Sequence, residues 1–173
     1  ELSVRYASGS GWGILGKGFS LGGIESISID TRFGLPNYDG RDRYVLEGSK
    51  VRYEGGVWRK EKESKYERIR NGWVEGGGEN YFEVTERDGT VKIYGKEGWS
   101  GRGEGEKYIY YLDEKVDSFG NKVKYRYKKE GGKDGEEVVL EEIVYGKEGE
   151  RKVRIEYESR GDVRLEGRGK YVR

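Results

Sequence analysis

Glycine interrupts this chain 31 times in 173 residues, and that punctuation decides what the chain can fold into. Each glycine inside a helix costs roughly 1 kcal/mol relative to alanine, whereas short strands joined by tight turns put glycine to use at positive φ. The text between the glycines is of strand type. Leu2-Ser3-Val4-Arg5-Tyr6, Val123-Lys124-Tyr125-Arg126-Tyr127 and Val153-Arg154-Ile155-Glu156-Tyr157 alternate apolar and polar residues at period two, which turns one face inward and one to water. Less regular segments of the same kind are Ile24 to Ile29, Tyr44 to Leu46, Val51 to Tyr53, Tyr81 to Thr85, Val91 to Tyr94, Tyr108 to Leu112 and Val138 to Tyr145.

Turn pairs fall between these segments: Asp39-Gly40, Asn71-Gly72, Asp88-Gly89, Gly120-Asn121 and Asp134-Gly135. Asp-Gly and Asn-Gly tolerate the positive φ that two-residue hairpin turns demand. Glu83 to Tyr94, with Asp88-Gly89 at its centre, therefore reads as a hairpin. The tract Arg59 to Arg70, dense in Lys and Glu, is compatible with a helix, with disorder or with a long polar hairpin arm.

Composition limits the core. Only 32% of residues are apolar against 39% charged, so little apolar surface offsets the entropy of ordering the chain. Disordered chains are poor in aromatics, yet this one has 15 Tyr, 4 Trp and 4 Phe. Tyrosine suits a half-wet sheet, because its ring packs while its hydroxyl stays hydrated. The 34 basic and 33 acidic side chains leave a formal charge of +1, which gives no overall pull toward nucleic acid or anionic lipid. Abundant Glu, Lys and Arg without Cys, Met or Gln is the pattern expected of adaptation to high temperature. No segment has the ~20 apolar residues of a membrane span. The start at Glu1, mid-strand in character and without an initiator Met, leads us to expect a processed chain or a fragment.

The N-terminal quarter is the most distinctive. Tyr6-Ala7-Ser8-Gly9-Ser10-Gly11-Trp12-Gly13 is followed by Leu15-Gly16-Lys17-Gly18-Phe19-Ser20-Leu21, then Ile24. Next comes Gly34-Leu35-Pro36-Asn37-Tyr38-Asp39-Gly40-Arg41-Asp42, leading to Tyr44-Val45-Leu46-Glu47-Gly48. This order resembles the opening of the SpvB-type domain of bacterial toxin-complex B components. Tyr66-Glu67-Arg68-Ile69, Thr85 to Gly95, Asp117-Ser118-Phe119-Gly120-Asn121 running into Val123 to Tyr127, and Glu156 to Val163 continue the similarity in the same order. The block at Asp117 is also similar to a unit of tyrosine/aspartate Rhs repeats. Phe19 stands where the family has Trp, and Gly161 where it has Pro. The resemblance implies a spiralling β-sheet that, with Rhs repeats, encloses a hollow chamber holding a toxic C-terminal cargo; a thin wall wetted on both faces would suit the low apolar content.

Candidate chemistry is sparse. Gly11-Trp12-Gly13-Ile14-Leu15-Gly16 matches G-x-G-x-x-G, but that mechanism needs a helix to follow, and Gly16-Lys17-Gly18 starts a helix poorly. With no His and no Cys, the chain lacks the residues of Ser-His-Asp and Cys-His catalysis and of the usual zinc sites. Carboxylate pairs of the glycosidase kind arise by chance among so many acids. Glu61-Lys62-Glu63, Glu104-Gly105-Glu106 and Glu156-Tyr157-Glu158 match the trivial Glu-x-Glu pattern of ADP-ribosyltransferases without their accompanying Ser-Thr-Ser strand. Asp39, Asp42, Asp113, Asp117 and Asn121 have calcium-compatible oxygens but no twelve-residue loop spacing. Lys122 to Lys129 interleaves bases with aromatics as single-strand nucleic-acid platforms do, yet alternation sends the tyrosines to the face opposite the cations.

These observations lead us to expect an all-β, antiparallel meander or spiral sheet of short strands with Gly-rich turns, an Rhs-like shell segment. It forms one domain over 1–173, Gly-rich over residues 1–56 and built of hairpins over residues 57–173. Trp12, Phe19, Leu21, Tyr38 and Trp73 are expected as packing anchors, with Gly13, Gly16, Gly18, Pro36, Asp39, Gly120 and Asn121 shaping turns. The expected role is structural, without catalytic, cofactor or metal residues, in a secreted toxin-complex protein that is cytoplasmic before export. Partners are neighbouring shell strands, a toxin-complex subunit or further copies through edge strands, with no nucleic acid and no membrane span. The alternatives are a self-assembling extracellular filament or adhesin subunit, and a single-stranded nucleic-acid module.

Overall fold

The computed structural model describes residues 3–8, 12–13, 16–17, 19–38, 42–55, 57–61, 67–73, 79–101, 106–132, 135–146, 149–157, 164–166 and 169–171. Over these residues the chain is all-β apart from one 3-10 turn at Thr31–Phe33. It forms two compact units, one of residues 1–24 with 155–173 and one of residues 25–154.

In the first unit, β1 (Ser3–Tyr6), β2 (Trp12–Gly13), β3 (Gly16–Lys17) and β4 (Phe19–Gly22) make two small antiparallel sheets. β1 pairs with β4, setting Val4 against Leu21 and Tyr6 against Phe19, and β2 pairs with β3, setting Gly13 against Gly16. A pair of strands thus stands where the nucleotide-binding motif would need a helix.

The second unit holds β5 (Ser26–Ile29), β6 (Tyr44–Leu46), β7 (Ser49–Glu54), β8 (Val57–Lys60), β9 (Arg68–Trp73), β10 (Glu79–Thr85), β11 (Val91–Gly101), β12 (Lys107–Val116), β13 (Lys122–Gly132), β14 (Gly135–Tyr145) and β15 (Arg151–Arg154). The strands β16 (Arg164–Glu166) and β17 (Gly169–Tyr171) pair as a hairpin in the first unit. From β5 to β11 each strand pairs with the next, and β12 bonds to both β5 and β11. The sheet therefore closes into a ring from β5 to β12. The wall expected to be wet on both faces is, over these strands, a barrel with a dry interior.

Closure explains how so apolar-poor a chain builds a core. Ile27, Leu46, Val51, Ile69, Phe82, Val84, Tyr94, Tyr110 and Leu112 come from seven strands of the ring and fill one buried cluster, with Trp58 of β8 packed against it. A barrel of about eight strands is just wide enough for its own side chains to fill it. Phe82 lies edge-on to Tyr44, Trp58 and Tyr110, with ring centroids 5.1, 5.5 and 5.0 Å apart, the geometry that aromatic quadrupoles favour.

Strand β12 divides its outer edge. Ile109 to Tyr111 pair with β5, whereas Glu114 to Val116 pair with β13. β13 and β14 then form a long hairpin that β15 extends. Tyr127 of this hairpin donates its hydroxyl to the Leu112 carbonyl at 2.7 Å, and Lys129 Nζ sits 4.2 Å from the centre of the buried Trp99 ring.

Several expectations need correction. Asn71-Gly72 is no turn: both residues lie within β9, opposite Phe82 and Tyr81 of β10. The strand expected over 153–157 ends at Arg154. The 56/57 boundary of composition lies in the β7–β8 hairpin, where Glu54 faces Val57. The Arg59–Arg70 tract holds the end of β8 and the start of β9, which pair at Trp58 and Ile69, in keeping with the polar hairpin arm among its expected forms; residues 62–66 lie outside the described residues. The Asp88-Gly89 hairpin exists, but its loop is longer than two residues, closed by Glu86 N–H donating to the Thr90 carbonyl. Asp117 to Asn121 repeats this loop, with Gly120 at φ 83° as Gly89 is at φ 86°. Both follow the three-residue pattern in which a type I turn ends in a left-handed glycine.

Candidate functional site

Three clusters of polar or aromatic groups in the second unit are candidates for a site. The first lines one end of the ring. Thr90, just before β11, and Lys92 and Tyr94 within it alternate and are all buried, while Val91 and Ile93 are half-exposed. Lys92 Nζ lies 2.6 Å from Glu25 Oε2 and 2.7 Å from Glu86 Oε1, and Tyr94 donates its hydroxyl to the same Glu25 oxygen at 2.7 Å. Glu47 links Lys92, at 3.7 Å, to Lys60, at 3.2 Å. Burial opposes the Lys92 charge, but the bonds to Glu25 and Glu86 outweigh it and hold the ammonium above the ordinary lysine range. Burial first, and the Glu25 charge second, push the Tyr94 phenol up strongly. A lysine held charged and a tyrosine held neutral are locked, not poised to exchange protons near neutrality, so this cluster is a plug.

The second cluster centres on Asp113. β11 bulges between Tyr94 and Trp99, and the freed backbone N–H groups converge on this carboxylate: Lys96 at 2.6 Å, Gly98 at 2.7 Å and Glu97 at 3.4 Å. Gly98 lets the ring of Tyr127 close over the bulge, where a Cβ would collide with it. Burial pushes Asp113 up to about 6, against the lowering effect of the same backbone bonds. The acid pins a bulge, and bulges re-aim strands.

The third is a surface cleft of about 490 Å3, between the diverging ends of β5 and β12 and the loop Gly34 to Tyr38. Its lining includes Ile29, Leu35, Pro36, Tyr38, Tyr108 and Ile109, with no acid or base among its described residues. Tyr38 is held at φ 56°, a costly conformation for a residue with a side chain. Asp42 fixes it, accepting from Asn37 N at 3.0 Å and Tyr38 N at 2.7 Å. Leu35 is 88% exposed beside the cleft. This arrangement can bind apolar surface but holds no acid–base pair.

The residues singled out by sequence disperse over these features. Pro36 and Tyr38 line the cleft, and Gly120 and Asn121 shape the loop in which Asp117 accepts from Phe119 N at 2.9 Å and Asn121 N at 2.8 Å. Gly13 and Gly16 lie in the β2–β3 pair. Trp12, Phe19, Leu21 and Trp73 have placed backbones, but their side chains, like Gly18 and Asp39 entirely, lie outside the described residues. Asp42, Asp113 and Asp117 each serve a separate stretch of backbone and do not converge. On β13, Tyr125 and Tyr127 turn inward and Lys124, Arg126 and Lys128 outward, so the stacking platform has its rings on the wrong side. Sequence reading missed Glu25, Glu47 and Lys92, because a lysine between Val91 and Ile93 reads as solvent-facing.

The fold and its sites thus define a class: over the described residues, an all-β protein built on a closed barrel filled by its own side chains. Residues 1–71 match the family described as Salmonella virulence plasmid 65kDa B protein, in accord with the motifs in that stretch of the chain. The N-terminal domain of effector protein SpvB from Salmonella typhimurium strain LT2 superimposes with a TM-score of 0.73 at 19% identity, over 84% of this chain and 58% of that one. TcdB2-TccC3 matches with a TM-score of 0.72 at 20% identity, over 83% of this chain and 9% of that one. The Photorhabdus luminescens Tc holotoxin pore matches with a TM-score of 0.70 at 22% identity, over 84% of this chain and 8% of that one. This chain therefore spans little more than half of the first structure and under a tenth of the other two. No curated protein matches it.

Proposed function

We propose that this chain is a structural, non-catalytic segment of the β-shell of a secreted toxin-complex protein, enclosing or supporting a toxic cargo. The observation that carries the reading is the filled ring β5 to β12. Its interior is occupied by its own side chains from Ile27 to Leu112, which suits a rigid wall block. The polar clusters around Lys92 and Asp113 are engaged in closing the barrel and holding backbone. The likeness to SpvB and to Tc structures supports the same reading, and export with the toxin assembly follows from it.

The filament alternative would need two complementary edges per copy; β15 has β14 alone beside it among the described strands, and its Arg151, Lys152 and Arg154 would meet like charges on pairing with another β15. The test uses the protein that carries this chain, intact and with residues 25–154 replaced by a flexible linker, and follows protease digestion of the cargo region. The intact protein should protect the cargo and the replaced one should expose it. Equal digestion of both, or turnover of NAD or a glycoside by the purified chain, would overturn the proposal.

A further inference from the structure

The outer face of the β13–β14–β15 sheet is strongly cationic, and it runs up to β15, which has no second neighbour among the described strands. Period-two alternation puts Lys122, Lys124 and Arg126 on one face of β13. The register sets Lys124 against Val144 and Arg126 against Glu142, then Glu142 against Arg154 and Val144 against Lys152. Lys152 and Arg154 therefore share that face. Among the described residues, two carboxylates are bonded to these five cations: Glu114 to Lys122 at 2.8 Å and Lys124 at 3.9 Å, and Glu142 to Arg126 at 3.0 Å, Lys152 at 3.4 Å and Arg154 at 3.6 Å. The cations remain between 45% and 60% exposed.

β15 has β14 on one side and no described strand on the other, and all four of its residues are exposed. Its opposite face presents Val153, next to Tyr145, each 37% exposed. An edge strand of this kind is a template for one more strand. The arriving strand would need carboxylates over Lys152 and Arg154 and apolar side chains beside Val153. A second copy of β15 fails this requirement, because antiparallel self-pairing would bring its cations against their like.

We infer that β15 is a docking edge for an extended segment of a partner polypeptide in which Asp or Glu alternates with apolar residues. The pairing is main-chain addition to the sheet, with register chosen by the charges. Nucleic acid fits less well, since the face has cations but no aromatic ring among its described residues to stack on. This inference does not depend on the shell role and would stand if that role failed.

The probe is a synthetic peptide of alternating glutamate and valine, titrated into the whole chain while backbone amide shifts are recorded. Shifts should concentrate at Arg151 to Arg154. Binding should weaken by about tenfold in Lys152→Gln/Arg154→Gln, fall with added salt, and vanish for a peptide whose valines are replaced by proline, which cannot donate to a ladder. The proline peptide and the salt series need only the unaltered chain, so they decide the matter even if the double variant unfolds. Absence of binding, equal binding of the proline peptide, or tighter binding of a lysine–valine peptide or a single-stranded oligonucleotide at the same amides would overturn the inference.

Discussion

Lys92 Nζ lies 2.6 Å from Glu25 Oε2, joining β11 to the residue that precedes β5 across 67 positions of sequence. The lysine also binds Glu86, and its side chain is only 5% exposed. Removing one partner of a buried ion pair leaves the other charge uncompensated. Lys92→Met should therefore destabilise the fold by about 3 kcal/mol in urea melts. Adding Glu25→Gln and Glu86→Gln to that variant should restore much of the loss, whereas a further drop would refute the plug.

Asp113 gives a pH signature. Its folded value, raised by burial to about 6, lies above the ordinary 3.8. A raised carboxyl binds its proton more tightly when folded, so its contribution to stability is fully present below 3.8 and lost as pH rises through 6. Relative to Asp113→Asn, the unaltered chain should gain about 2 kcal/mol between pH 7 and pH 4. A difference that stays constant across that window would show that the carboxyl does not titrate as described.

Gly95 and Gly120 separate strain from packing. Both have positive φ, 76° and 83°, but a Cβ at Gly95 would run into the Tyr110 ring, while at Gly120 nothing lies within 4 Å. Gly120→Ala should cost about 1 kcal/mol, from backbone strain. Gly95→Ala should cost about 2–4 kcal/mol, because overpacking is added. Equal losses in denaturant melts would mean that Tyr110 does not cover this bulge.

The strands themselves were legible. The alternation around Val123 to Tyr127 and the Asp88-Gly89 turn identified β13 and the β10–β11 hairpin, since both are local patterns. Asn71-Gly72 misled because turn propensity yields to a ladder when Phe82 and Tyr81 stand opposite. Ring closure had no local signal at all. It rests on Ile109 to Tyr111 meeting Ser26 to Ser28, distant in sequence, and on the bulge that Asp113 pins. The inward Lys92 was hidden for the same reason: which face of β11 is inside depends on what the ring encloses. The motif starting at Gly34 indicated a turn, but the place of Leu35, Pro36 and Tyr38 at a cleft follows from where β5 and β12 part.

The composition argues for heat tolerance, through ion-pair networks such as Glu47 joining Lys92 to Lys60. The purified chain should melt above the range of about 45–65 °C common to mesophile domains. A midpoint inside that range would contradict the expectation.

Amide hydrogen exchange across the seam between β5 and β12 tests the closed ring most directly. If the sheet is continuous, amides of the Ile109–Ser28 and Tyr110–Ile27 pairs should exchange only by global unfolding, at the same free energy as the Phe82–Asn71 ladder across the ring. Seam amides that exchange by orders of magnitude faster than that ladder would mean an open sheet, and the wall block would lose its physical basis.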